Sequence, residues 1–160
     1  MMSDLIDDHA VEALSIIWDQ SLGYSGPRIV DAPHELRVVK DFLSRETWQH
    51  FVQFIQPSTL NHHERVMEYS GFRFQSDLDP DDEHFEGVEV FDPLDTIHIS
   101  ERAFDRLMAR YFDVIVRGVT THHLPEAREV WWQAFVANTR LLEERIQNAS
   151  ARAEPQSSIE

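Results

Sequence analysis

The sequence predicts a helix-rich α+β fold in which several helices pack on a small antiparallel β-sheet. Three observations carry that expectation. Apolar residues recur at helical spacing over long segments, as at Phe104, Leu107, Met108, Tyr111 and Ile115. Between residues 88 and 99 the period drops to two, where "GVEVF" and "TIHIS" flank the proline-bearing turn "DPLD" and read as a hairpin. The hydrophobic fraction is 42% and cysteine is absent, so the core must form by apolar packing without disulfides or thiolate ligands. A chain of 160 residues is long enough for that. Residues 1–149 are expected to form a single domain, and 150–160, "SARAEPQSSIE", a disordered tail.

The first element reads as a helix. Ser3 suits an N-cap, Asp4, Asp7 and Asp8 suit its positive end, and Ile6, Ala10, Ala13, Leu14 and Ile17 follow helical spacing up to a stop at Gly23. "YSGPRIVDAP" then reads as a loop. Pro33 opens a second helix carrying Leu36, Val39, Phe42 and Leu43. Ser44 caps a third, with Trp48, Phe51, Val52 and Ile55 on one face and an end at Pro57. "RVMEYSGFRF" is rich in β-branched and aromatic residues about a glycine and predicts one or two strands. In the hairpin, Val88, Val90, Ile97 and Ile99 face inward, and Glu89 and His98 face outward. Ser100 caps a helix ending near Gly118. A last helix opens at Pro125 with a stripe of Trp131, Ala134, Phe135, Leu142 and Ile146, which leaves Trp132 on a flank.

The charge is the most informative bulk property. The net value is −15, and it is concentrated: residues 74–101 hold ten acids and no Lys or Arg, while the other 132 residues hold 19 acids and 14 bases. Such a balance argues against a nucleic-acid-binding surface, which needs a basic patch, and against an anionic membrane face. The N-terminal stretch is acidic where a signal peptide is basic, and no apolar run reaches membrane-spanning length, so a cytoplasmic location is expected.

The densest acidic stretch is "SDLDPDDEHFEG", Ser76 to Gly87. An EF-hand loop would need Gly at position 6 and Glu at position 12. Counting from Asp77 places Asp82 and Val88 there, and counting from Asp79 places His84 and Val90, so both registers fail. The pairs His62–His63 and His122–His123 are adjacent in sequence and point in different directions, so neither chelates a metal alone. No GxSxG, P-loop, GxGxxG or HExxH motif is present, and no metal or other cofactor is expected. A solvated loop is one account of the stretch. The other is a fixed negative surface that steers a basic partner.

The order "YSGFRF", acidic spacer, "HFEGVEV", "TIHIS" and "ERAFDRLMARYF" resembles the immunity proteins of contact-dependent growth inhibition and related bacterial polymorphic toxin systems, in particular those neutralising ribonuclease toxins. The likeness lies in a G-aromatic-R-aromatic strand at Gly71–Phe74, an F-x-G-V strand at Phe85–Val88 and an I-S-x-x-x-F junction at Ile99–Phe104, and it spans Tyr69 to Phe112. The resemblance implies a small non-catalytic inhibitor that binds the C-terminal nuclease domain of a cognate toxin. A nuclease cleft is basic because it attracts a polyanion, so Asp77, Asp79, Asp81, Asp82, Glu83, Glu86, Glu89, Asp92 and Asp95 are the candidate partner-binding carboxylates. Phe85, Phe91 and Trp132 are the candidate apolar anchors. An acidic adaptor or regulatory subunit for another basic protein is the alternative, and an enzyme with an unrecognised site is a further one.

Overall fold

A computed structural model describes residues 4–153. The described chain is α+β, with five α-helices and two antiparallel sheets. Helix α1 (Asp8–Glu12) leads into the hairpin of β1 (Ser15–Ser21) and β2 (Tyr24–Val30). Helices α2 (Arg37–Leu43) and α3 (Trp48–Asn61) precede a four-stranded meander of β3 (Arg65–Met67), β4 (Ser70–Phe74), β5 (Val88–Phe91) and β6 (Thr96–Ile99). Helix α4 (Glu101–Thr121) and helix α5 (Trp132–Ala153) close the described chain. No described helix is long and apolar enough to cross a membrane.

The meander forms as its alternation dictates. Phe72, Phe74, Val88, Val90, Ile97 and Ile99 occupy one face and are buried. That face packs on α4 through Phe104, whose ring lies 5.0 Å from Phe72 and 5.5 Å from Phe74, and on α2 through Phe42, 5.9 Å from Phe72. Burying several aromatic rings here supplies most of the local stabilisation, at about 25 cal/mol per Å² of apolar surface. Ser100 caps α4 by accepting a hydrogen bond from the Ala103 amide at 3.0 Å, as its position in the sequence predicts. The buried face of α4 touches the meander, the N-terminal hairpin, α1 and α5, so this helix is the axis of the core.

The N-terminal helix expected from Ser3 to Gly23 is reduced to Asp8–Glu12, capped by Asp7, and the expected cap at Ser3 lies outside the described residues. Residues 15–30 form a hairpin instead, in which Ile16 pairs with Ile29 and Trp18 with Pro27. The spacing of Ile6, Ala10, Ala13, Leu14 and Ile17 suits a helix only if Ile17 is inward, yet Ile17 is 41% exposed while Ile16 and Trp18 turn to the core. Pro27 is compatible with β2 because a two-stranded sheet lacks a central strand, so a missing N–H need not break a ladder. Gly23 supplies the positive φ of 82° at the hairpin tip.

Three boundaries also move. Helix α3 starts at Trp48 with no side-chain cap and passes through Pro57 to Asn61, because Ser58 and Thr59 beyond the proline are buried against the rest of the fold. Helix α4 passes Gly118, and the glycine has a packing role there: a Cβ would lie 2.1 Å from the Trp18 ring. Pro125 opens a 3-10 turn, Pro125–Arg128, and α5 starts only at Trp132. Its buried face is therefore Trp132, Phe135, Thr139 and Leu142, with Trp131 only partly buried and Ala134 exposed. Residues 150–153, expected in the disordered tail, continue α5, and 154–160 lie outside the described residues.

Candidate functional site: an anchored acidic loop

The stretch between β4 and β5 folds back over the outer face of the meander. That face carries Arg73, Glu89 and His98 in one cross-strand row, and Gly71, Phe91 and Thr96 in the next. Phe85 lies on it, with its ring centroid 5.1 Å from that of His98, and is only 7% exposed. Arg73 reaches Asp82 at 3.5 Å from the same face and also pairs with Glu64 at 3.1 Å. An aromatic inside an acidic run thus serves to fasten the run to the sheet.

The entry of the loop is fixed by side-chain carboxylates that accept from backbone amides. The Asp77 carboxylate accepts from the Phe74 amide at 2.9 Å, and that of Asp82 accepts from the Asp79 amide at 2.8 Å. At the exit, Gly87 adopts φ 74°, and a Cβ there would lie 2.1 Å from the Ile99 carbonyl oxygen. Only glycine meets both demands, the left-handed backbone and the close approach to β6.

The twelve candidate residues divide by what they touch. Asp77 and Asp82 fold the loop. Glu89 lies 3.0 Å from the His98 ring on the outer face. Asp92 accepts from the Leu94 and Asp95 amides at 2.8 and 2.9 Å, and from Arg37 of α2 at 2.9 Å. The Arg37 guanidinium, ahead of those amides, holds the Asp92 carboxyl below the usual carboxylate range. Asp95 is exposed and accepts from the Thr96 amide at 2.8 Å. Asp79, Asp81, Glu83 and Glu86 are exposed, and no hydrogen bond or ion pair engages their carboxylates among the described residues. Phe91 is partly buried in the outer face, whereas Phe85 and Trp132 are 7% and 6% exposed and offer a partner little surface. Trp132 is on α5, stacked on Phe135 at 5.5 Å, and is not part of the loop.

The four unpaired carboxylates are held on a rigid base with water on their other side. The field of exposed charges reaches about one Debye length, 8–10 Å at physiological salt. The four form a patch of negative charge. The paired carboxylates around them fix its shape.

One ionisable cluster escaped the sequence. His62 ends α3 in a left-handed conformation with φ 51°, stacks on Phe74 at 4.7 Å, and brings its Nε2 to 3.0 Å from both Asp105 oxygens. Its Nδ1 is 4.0 Å from Glu101. The hydrogen bond to Asp105 raises the His62 pKa, with a smaller push from Glu101, against burial and the Arg145 charge. A His raised in the folded state stabilises fully below its unfolded value, about 6.5, and loses that contribution as pH rises through the folded value. The melting-temperature gap between the protein and Asp105→Asn should therefore narrow from pH 5.5 to pH 9. An unchanged gap would show that the pair does not titrate as described. The separation of 43 positions between the partners explains why spacing gave no sign of it.

No protein-family model, no curated protein and no solved structure matches this chain.

Proposed function

We propose that this protein is a non-catalytic immunity protein that acts in the cytoplasm, binding the C-terminal nuclease domain of a cognate bacterial toxin and occupying its basic surface. The observation that carries the proposal is the set of four exposed, unpaired carboxylates, Asp79, Asp81, Glu83 and Glu86, on a loop anchored by Phe85, Asp77 and Asp82. An anchored loop loses little conformational entropy when a partner arrives, which favours tight binding. Its charge has the sign that a cleft built for phosphates attracts, and such complementarity raises the association rate above all. The partly buried Phe91 and exposed Val66, on the neighbouring part of the outer sheet face, provide apolar contact area beside the charges.

The experiment is an inhibition titration. A candidate nuclease toxin domain, sought in the coding sequence directly upstream of this gene, is mixed with RNA, and this protein is added in steps. Cleavage should stop at a one-to-one ratio, as stoichiometric capture requires. Cleavage that persists at a tenfold excess would contradict the proposal.

A further inference from the structure

We propose that the cleft between the first turns of α4 and the last turns of α5 binds a small amphipathic anion, a carboxylate carried on an apolar chain. The cleft has a volume of about 320 Å³, close to the lower limit of small-molecule pockets. Its floor is apolar, made by Leu142, Ile146 and Ala149 of α5. Arg102, Arg106 and Arg145 line it as well. In a chain of net charge −15, three guanidinium groups around one apolar hollow reverse the sign of the surroundings locally.

The hydrogen-bond inventory shows which charges are available. Asp105 is the one carboxylate in the lining, and it is engaged by His62 at 3.0 Å. Arg106 donates to Glu12 at 2.7 Å and to Ser150 at 3.1 Å. Arg145 spends one nitrogen on the Leu60 carbonyl at 2.7 Å and keeps the rest of its fork open. Arg102 has no hydrogen-bond or ion-pair partner among the described residues. It sits in the first turn of α4. A guanidinium fork matches a planar carboxylate in bidentate geometry, and the apolar floor selects a head group that carries a hydrocarbon body over a bare ion.

This site is lined by residues of α4 and α5 and does not depend on the immunity reading. Octanoate is the probe, titrated into the full-length ¹⁵N-labelled protein below its micelle concentration, with octan-1-ol and octylammonium as controls. Saturable shifts of the Arg102, Arg145 and Ala149 amides are expected with octanoate, and binding about tenfold weaker or worse with either control, the loss of one charge-assisted contact. Arg102→Gln should weaken octanoate about tenfold and leave the melting temperature nearly unchanged, because no hydrogen bond or ion pair among the described residues uses Arg102. Ala149→Phe, an exposed helix position filled into the cleft, should abolish the shifts. Absence of saturation, equal binding of octanol, shifts confined to other parts of the surface, or indifference to both substitutions would overturn the site.

Discussion

Replacing Gly118 by alanine is expected to destabilise the protein by about 2 kcal/mol, within the cost of forcing a methyl group into a packed interior. Helix propensity alone gives the opposite sign, since alanine is better than glycine in a helix interior by about 1 kcal/mol. Packing decides. A Cβ at Gly118 would lie 2.1 and 2.3 Å from two carbons of the Trp18 indole, which rests on α4 where the glycine leaves the backbone bare. Trp18 cannot swing away cheaply. Its ring meets Trp48 edge-on at 5.7 Å, and its Nε1 donates to Gln20 at 2.9 Å. Trp48 is fully buried and donates to the Ser25 carbonyl at 2.8 Å, so the N-terminal hairpin is tied to α3 through the same contact. At about 2–4 °C per kcal/mol for a chain of this size, Gly118→Ala should lower the melting temperature by roughly 4–8 °C. In a Trp18→Ala background the clash is gone, and the same substitution should stabilise. A stabilising Gly118→Ala in the otherwise unchanged protein would show that the hairpin does not sit on α4 as described.

The second large effect concerns function. Converting Asp79 and Asp81 to Asn, and Glu83 and Glu86 to Gln, removes four charges that no hydrogen bond or ion pair among the described residues uses. Stability should change little, because none of the four is paired. Association with the toxin domain should slow by about tenfold to a hundredfold at low salt, the range over which steering acts. Asp82→Ala is the informative companion. It deletes one charge and also the acceptor for the Asp79 amide and the contact with Arg73. If rigid presentation matters, this single change should slow association more than Asp81→Ala, which removes an equal charge and no anchor. Equal effects would reduce the loop to a sum of charges.

The legible parts of the fold are those set by local period and caps. The β5–β6 hairpin follows from the alternation of Val88, Val90, Ile97 and Ile99, and the start of α4 follows from Ser100. The N-terminal hairpin was not legible, because "SIIWDQS" is short and its apolar residues fit both periods, while Gly26 and Pro27 disguise β2 as a loop. The exchange of Trp131 and Trp132 has a similar origin: the face a residue takes depends on where the helix starts, and a 3-10 turn delays α5 to Trp132. At the candidate site, charge density marked the loop but not which carboxylates are spent. Asp92 answers Arg37, 55 residues earlier, and Glu89 answers His98 across the hairpin. Phe85 looked like a contact residue among acids, and the sheet beneath it has already taken that contact. Long-range pairing of this kind leaves no periodic trace in a single sequence.

The most direct measurement is the affinity of this protein for the upstream-encoded toxin domain at low and at high salt, for the natural chain and for the variant lacking the four charges. The proposal predicts nanomolar or tighter binding by the natural chain that weakens as salt rises, and a shallower salt dependence for the variant. Absence of binding, or tight binding that is indifferent to salt and to the four substitutions, would contradict an acidic face as the surface that captures the toxin.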